Sequence, residues 1–292
     1  VMGALPEIDA HTGLYAVFGD PVGHSLSPTM HNRAFQASGQ NGVYVALRVR
    51  DIETAVAAVR SLSIRGVSIT VPHKTAVIPF LDHVDATARA IGAVNTIVNH
   101  DGRLHGYNTD APAAVRALKD MVVLAGRKAA ILGAGGAARA VGFGLAAENV
   151  PIVVVNRTRS RGKELAERLG AGFEAIEDFQ PTDDTILINT TPVGMWPQVD
   201  AVPIAPDRLR PGMMVMDIIY NPLQSLLLRE AAAKGCPTLN GIPMFVYQGA
   251  MQFKLWTDQE APLSVMMQSV TDALAAAARG NGQRSPSARC PE

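Results

Sequence analysis

The chain has 292 residues, 48% hydrophobic and 18% charged, a globular composition long enough for about two domains. Lysine plus arginine balance aspartate plus glutamate at 26 each, so no basic field calls for nucleic acid and no polybasic segment calls for an anionic membrane. No apolar run is long enough to span a bilayer, and the start Val1–Asp9 has no signal-peptide architecture.

Val1 is not an initiator residue, so some preceding sequence is expected to have been removed. Cys236 and Cys290 make no disulfide framework and stand in no metal-ligand spacing, which points to a reducing, cytoplasmic compartment.

Apolar, β-rich runs alternate with helical patterns from the start. The predicted strands of the first half are Leu14–Gly19, Val43–Val49, Val67–Val71, Ala93–Val98 and Leu104–Tyr107. Amphipathic stretches such as Met30–Ser38 and Ile52–Leu62 lie between them. Asp101-Gly102 is a hairpin signal between the last two strands. This half reads as a mostly parallel α/β unit with one antiparallel edge strand. A second series follows, at Lys128–Leu132, Pro151–Val155, Gly172–Ala175, Thr185–Asn189, Met213–Ile218 and Thr238–Leu239. With its interleaved helices it reads as a doubly wound βαβ unit. Helices are predicted over Ile242–Trp256 and Leu263–Ala278, and the Gly/Pro/Ser-rich residues 281–292 are expected to be a disordered tail. No short-period repeat occurs, so the α/β halves are expected to be two domains, 1–110 and 111–242.

Within this frame, Ser68–Lys74 (SITVPHK) is an apolar strand that stops at Pro72 and presents Lys74. Alone it reads as a helix start with a solvated lysine. Near the N-terminus, Phe18–Phe35 (FGDPVGHSLSPTMHNRAF) carries Ser25 and Ser27 in a loop before Pro28. Hydroxyls two residues apart can both face one polyol; the bland alternative has Ser27 capping the helix that Pro28 opens.

Ala129–Ala146 is a strand, a glycine turn and a helix. Its Gly133, Ala134, Gly135, Gly136, Ala137 and Ala138 fit G-x-G-x-x-G/A in the strand-turn-helix context that a dinucleotide site requires. The next strand ends in Asn156, Arg157 and Thr158, with no acidic residue to hold a ribose 2′-hydroxyl. Arginine pairs with phosphate through charge-assisted hydrogen bonds worth ~1.5–3 kcal/mol each, so the expected cofactor is NADP. Arg159 and Arg161 also read as a solvated helix face beside Glu164 and Glu167. The seven histidines form no ligand pattern, and no metal is expected.

GDPVGHSLSPTMHN, SITVPHK, GAVNT (Gly92–Thr96), GYNTD (Gly106–Asp110), GAGGAARA, NRT, DIIYNP (Asp217–Pro222) and NGIPMFVYQGA (Asn240–Ala250) follow one another in that order. The chain thereby resembles the shikimate dehydrogenase family from about Leu14 to Ala278. The resemblance implies a two-domain α/β fold. It has an N-terminal, mostly parallel substrate domain and a Rossmann-type NADP domain, with C-terminal helices over 243–280 returning to the former. It implies reversible NADPH-dependent reduction of 3-dehydroshikimate to shikimate, on the route to chorismate and the aromatic amino acids. Its substrate positions fall on Ser25, Ser27, Thr70, Lys74, Asn95, Asp110, Tyr220 and Gln248, with Lys74 and Asp110 as the catalytic pair. Cofactor positions fall on Gly133 to Ala137, on Asn156, Arg157 and Thr158, and on Ile218 and Gly241. The expected partner is the small-molecule substrate; a homodimer is left open.

These residue types suit the chemistry. Serine, threonine, asparagine, tyrosine and glutamine offer donors and acceptors to a carboxylate with three hydroxyls. Reducing a ketone places negative charge on its oxygen, and a proton donor there lowers the barrier by a factor of ~10²–10⁴. Lys74 is the expected donor, or a group that chiefly orients substrate, and His73 is the alternative acid, for which a structural or solvated role is preferred. Two rival readings stand beside this one. The first is a quinate/shikimate dehydrogenase with broader substrate or NAD use, against which the Asn156-Arg157-Thr158 strand end argues. The second is a binding protein that keeps the fold without catalysis, against which Lys74 and Asp110 together argue.

Overall fold

The structure, a computed structural model, describes residues 8–281, so the expected tail from residue 282 onward lies outside the described residues. Its strands form two six-stranded sheets. The first contains β1 (Gly13–Gly19), β2 (Gly42–Arg48), β3 (Gly66–Ile69), β4 (His83–Val84), β5 (Thr96–His100) and β6 (Arg103–Tyr107), in the order β2-β1-β3-β5-β6-β4. β1 is parallel to both β2 and β3, while β5 is antiparallel to both β3 and β6. The antiparallel strand therefore lies inside the sheet, not at its edge. Asp101-Gly102 does make the hairpin: both residues have positive φ, and His100 pairs with Arg103 across them. The two-residue turn reverses β5 into β6, and β4 then takes the edge that the sequence pattern gave to the hairpin.

Helices cover both faces of this sheet. On one side α2 (Ile52–Ser61) and α3 (Ala86–Ile91) supply Val56, Val59 and Ala88 to a core with Ala16, Phe18, Val67, Ile69 and Ile97. On the other, α1 (Ser27–Ser38), α8 (Ile242–Thr257) and α9 (Leu263–Asn281) bury Met30, Phe35, Val246, Phe253 and Met266 against Tyr15, Val17 and Tyr44. α9 runs three residues past the predicted end at Ala278.

The second sheet contains β7 (Lys128–Leu132), β8 (Ile152–Asn156), β9 (Gly172–Ala175), β10 (Thr185–Asn189), β11 (Met214–Asp217) and β12 (Thr238–Leu239), all parallel, in the order β12-β11-β10-β7-β8-β9. Its central strands β7 and β10 are almost entirely buried, as near-continuous apolar runs are in a sheet covered on both faces. α4 (Asp110–Lys119), α5 (Gly136–Ala147) and α6 (Arg159–Leu169) pack on one face, and α7 (Leu226–Ala233) on the other. α8 touches both halves: Met244 and Tyr247 meet the core of the second sheet, whereas Val246, Ala250 and Phe253 meet the core of the first.

Candidate active site

Topology gathers the first group of side chains. β1 and β3 are parallel, β5 runs against them, and β6 runs back, so one edge receives the ends of β1, β3 and β6 and the start of β5. That edge carries Ser25 and Ser27 after β1, Thr70 to Lys74 after β3, Asn95 before β5 and Asp110 after β6.

The peptide past β3 does not become an α-helix. Residues 71–77 form turns and lead into a single 3₁₀ turn at Ile78–Phe80. His73 turns inward, is buried and bonds the Val49 carbonyl at 2.8 Å, so it is not solvated. Val94 N–H donates to the Lys74 carbonyl at 2.8 Å, fixing the lysine backbone. Lys74 Nζ then donates to Asp110 Oδ2 at 2.6 Å, with the two side chains only 19% and 9% exposed. Asp110 opens α4 instead of ending a strand, and an acidic group in a first helical turn is favoured by the helix dipole. Asn108 Oδ1 accepts from Asp110 N–H at 3.1 Å and Ala111 N–H at 3.3 Å, holding that turn.

The second carboxylate oxygen, Asp110 Oδ1, accepts from Asn95 Nδ2 at 2.8 Å. Asn95 is 2% exposed; its other N–H goes to Thr109 Oγ1 at 2.9 Å, and its Oδ1 accepts from Thr109 N–H at 2.8 Å. Its amide thus points at Asp110, one step behind the open face.

The serines are arranged differently from the capping alternative. α1 begins at Ser27 itself, Leu26 is the N-cap, and no side-chain cap bond forms there. Ser25 Oγ accepts the Ser27 N–H at 3.2 Å, while the Ser27 side chain is buried. Thr70 is half-buried just past β3. Tyr220 packs against Phe245 with ring centroids 4.8 Å apart and the planes tilted by 33°, and burial pushes its phenol up to about 12. Gln248 Nε2 donates to the Phe245 carbonyl at 2.8 Å, on the helix that carries both residues.

The second group lies at the carboxyl edge of the other sheet. β7 and β10 are neighbours whose outgoing connections go to opposite faces, α5 after β7 to one and Ile204 and Leu209 after β10 to the other, the position where doubly wound folds bind ligands. Gly133 leaves β7 with φ of +110°, and a Cβ on it would lie 2.8 Å from Thr190 Oγ1. Only glycine fits that turn. Gly135 is exposed with open space above it, and α5 starts at Gly136 with its first N–H groups directed toward that space. At the end of β8, Asn156 Nδ2 donates to the Thr158 carbonyl at 2.8 Å, and Thr158 caps α6 without using its hydroxyl. Arg157 is exposed and makes no ion pair among the described residues. Arg159 instead pairs with Glu177 at 2.6 Å and Asp178 at 3.4 Å, not with Glu164 or Glu167. Ile218 follows β11, and Gly241 packs so closely behind it that a Cβ there would lie 2.1 Å from the Ile218 carbonyl oxygen.

This turn accommodates a dinucleotide on structural grounds: a cradle that excludes side chains, a helix N-terminus, and an exposed guanidinium at a strand end without carboxylates. The two groups meet at Lys74, because a Cβ on Gly136 would stand 3.9 Å from Lys74 Cδ. Among the described residues no three His, Cys, Asp or Glu side chains are grouped as metal ligands.

Residues 17–97 match the shikimate dehydrogenase substrate binding domain, residues 116–218 the shikimate/quinate 5-dehydrogenase family, and residues 241–271 the shikimate 5′-dehydrogenase C-terminal domain. A shikimate dehydrogenase (NADP(+)) of Moorella thermoacetica is 47% identical over 288 residues, covering 94% of this chain and 98% of that protein. The chain belongs to the shikimate dehydrogenase family. Among solved structures, a shikimate dehydrogenase in complex with NADP+ superposes with a TM-score of 0.88 at 40% identity, covering 93% of this chain and 99% of the other. The Thermus thermophilus shikimate 5-dehydrogenase in complex with NADP(H) and shikimate gives 0.83 at 39% identity, covering 90% and 100%. The family resemblance read from the motifs and the α/β architecture read from the periodicity are both borne out.

Several polar residues at the site were not among the expected site residues, although Ser68, Thr96 and Thr109 stand inside the quoted motifs. Thr96, Thr109, Ser68, Tyr44 and Gln252 are buried and hydrogen-bonded behind Asn95 and Ser27. One signal was available: Gln252 lies four residues after Gln248, on the same face of α8.

Proposed function

We propose that the chain is an NADP-dependent shikimate dehydrogenase, an oxidoreductase of CH–OH groups that reduces 3-dehydroshikimate to shikimate reversibly on the route to aromatic amino acids. The observation that carries this reading is Lys74, whose ammonium sits on Asp110 while its stem lies against Gly136 of the dinucleotide turn. Bound NADPH supplies the hydride. Gly133, Ala134, Gly135, Gly136 and Ala137 would line its pyrophosphate, Asn156, Arg157 and Thr158 its 2′-phosphate, and Ile218 and Gly241 its far end. Ser25, Ser27, Thr70, Tyr220 and Gln248 would hold the substrate's carboxylate and hydroxyls. Asn95 would act at the same face and through Asp110. Lys74 holds or delivers the proton at the oxygen of the reacting carbon, and Asp110 keeps the ammonium in place. The half-buried, ordered pair favours this over a binding protein without catalysis.

On the same reading the enzyme works in the cytoplasm, which suits the unpaired, buried thiol of Cys236. Among the described residues no helix is long and apolar enough to cross a membrane.

The test follows absorbance as NADP is reduced with shikimate, beside quinate, and repeats both with NAD. Fast turnover restricted to shikimate with NADP is the expected result. Comparable quinate turnover, or a preference for NAD, would move the protein to the catabolic reading and remove Arg157 from the 2′-phosphate.

A further inference from the structure

Gln252 lies on α8, 1% exposed, among the apolar side chains that join this helix to the first sheet. Its amide is fully engaged. Nε2 donates to the Asn95 carbonyl at 3.2 Å and to Thr96 Oγ1 at 3.0 Å, and Oε1 accepts from Ser68 Oγ at 2.8 Å. The Asn95 main-chain carbonyl can only accept, so the atom facing it must be the nitrogen.

Every later step then has one direction. Thr96 Oγ1 takes the Gln252 proton and gives its own to Asn95 Oδ1 at 2.7 Å. Asn95 Oδ1 also takes the Thr109 N–H, which can only donate, so the Asn95 nitrogen is turned toward Asp110 Oδ1. In the other direction Tyr44 Oη donates to Ser68 Oγ at 2.6 Å, and the Ser27 hydroxyl lies beside the same phenol. A continuous buried relay thus runs behind the substrate face, from the neighbourhood of Ser27 to the Lys74–Asp110 pair.

We infer that Gln252 is a positioning residue for the reaction, setting through Thr96 and Asn95 the orientation of the carboxylate that holds Lys74. The inference rests on the functional reading above. Gln252 touches neither substrate nor cofactor in it. Its amide stands midway in the relay, accepting from Ser68 and donating to Thr96, so replacing it separates the Ser27 side from the Asp110 side.

Gln252→Met, Thr96→Val and the double variant test this, with Thr96→Ser as the conservative control. The measurements are kcat and KM for shikimate and for NADP, the pH profile of kcat, and Tm. Expected results are a fall in kcat of about tenfold for each single variant, with KM for NADP within about twofold of the parent. The pH profile of kcat should be displaced, and Thr96→Ser should restore kcat to within about twofold. The double variant should be no worse than the poorer single one, because both cut one chain.

Lower Tm with kcat and pH profile unmoved would overturn the inference, and so would multiplicative losses in the double variant. If Gln252→Met does not fold, the Thr96→Val and Thr96→Ser pair decides by the same kcat and pH readouts. No shikimate turnover by the parent enzyme would sink the functional reading itself, whereas parent turnover with indifferent variants would sink only the role of Gln252.

Discussion

At the carboxyl edge of the first sheet the reactive side chains are held by other side chains. At the carboxyl edge of the second, the cofactor's place is shaped by backbone. Lys74, Asp110 and Asn95 are buried or nearly so, and each is fixed by polar partners at 2.6–2.9 Å. Gly135 and Gly136 offer main-chain N–H groups, Gly133 offers a turn with no room for a Cβ, and Arg157 stands in solvent without an ion pair among the described residues. The first edge is therefore vulnerable to losing a polar atom, because a buried partner left unpaired costs about 1–3 kcal/mol. The second is vulnerable to gaining volume. A backbone cradle cannot repack around a new side chain as a rotamer can.

Lys74→Ala is the severest break at the first edge. It should lower kcat by about 10²–10⁴, with a smaller effect on KM for shikimate, because the proposed function has the ammonium act at the reacting oxygen. A large rise in KM at unchanged kcat would leave Lys74 a binding group only. Gly241→Ala probes the second edge in the opposite sense, by adding a methyl group. Its Cβ would stand 2.1 Å from the Ile218 carbonyl oxygen and 2.9 Å from the Ile219 carbonyl carbon, so the main chain must shift. A stability loss of about 1–3 kcal/mol is expected, with a raised KM for NADP and little change in kcat at saturation. Unchanged Tm and KM would mean that this edge yields more readily than its contacts imply.

Both edges differ in how legible they were. The glycine turn, the absence of acid after β8 and the Asp101-Gly102 hairpin were readable because each is a local rule with local residues. Order along the chain was enough to bring Lys74 and Asp110 to notice as motif residues, but not to show how they are held. Asp110 stands three residues past the predicted strand Leu104–Tyr107 and is a helix start, since Asn108 and Thr109 turn the chain within two residues after β6. The inner position of β5 was hidden for the same kind of reason, because a hairpin signal fixes which strands are adjacent and says nothing of what pairs with their outer sides. Beyond its place four residues after Gln248, Gln252 gave no chemical signal: its partners Ser68 and Thr96 are 184 and 156 residues away in sequence.

A smaller effect at the second edge sharpens the comparison through charge. Arg157→Ala should raise KM for NADP about tenfold to a hundredfold, the worth of one charge-assisted bond of ~1.5–3 kcal/mol, while leaving NAD use nearly unchanged. Being exposed, the arginine should contribute almost nothing to Tm. Equal losses with both cofactors would make it structural instead.

The finest distinction concerns one titrating group buried behind each edge. His31 is fully buried against Tyr44, at 4.5 Å between stacked rings, with neither ring nitrogen hydrogen-bonded, and burial pushes it down from 6.5 to about 3. Asp217, behind Ile218 and bonded to Ser225, Asn189 and Ile219, is pushed by burial up from 3.8 to about 6. The signs oppose. Above about 6.5 His31 is neutral in both folded and unfolded chains; below that the unfolded chain takes a proton the folded one refuses, so stability falls toward pH 3 by up to ~1.4 kcal/mol per unit. Asp217 works the other way, since the folded protein takes its proton first, so stability is regained as pH falls from about 6 to about 3.8. In that window the two slopes largely cancel. His31→Phe should therefore make the protein relatively more stable as pH falls from 6 to 4, and Asp217→Asn relatively less stable, each compared with the parent by denaturant unfolding across that range. Parallel pH profiles for all three proteins would show that neither group titrates between folded and unfolded states there. The imidazole would then be no more than an apolar wall behind the substrate edge, and the contrast between the two edges would end at the side chains that face the cleft.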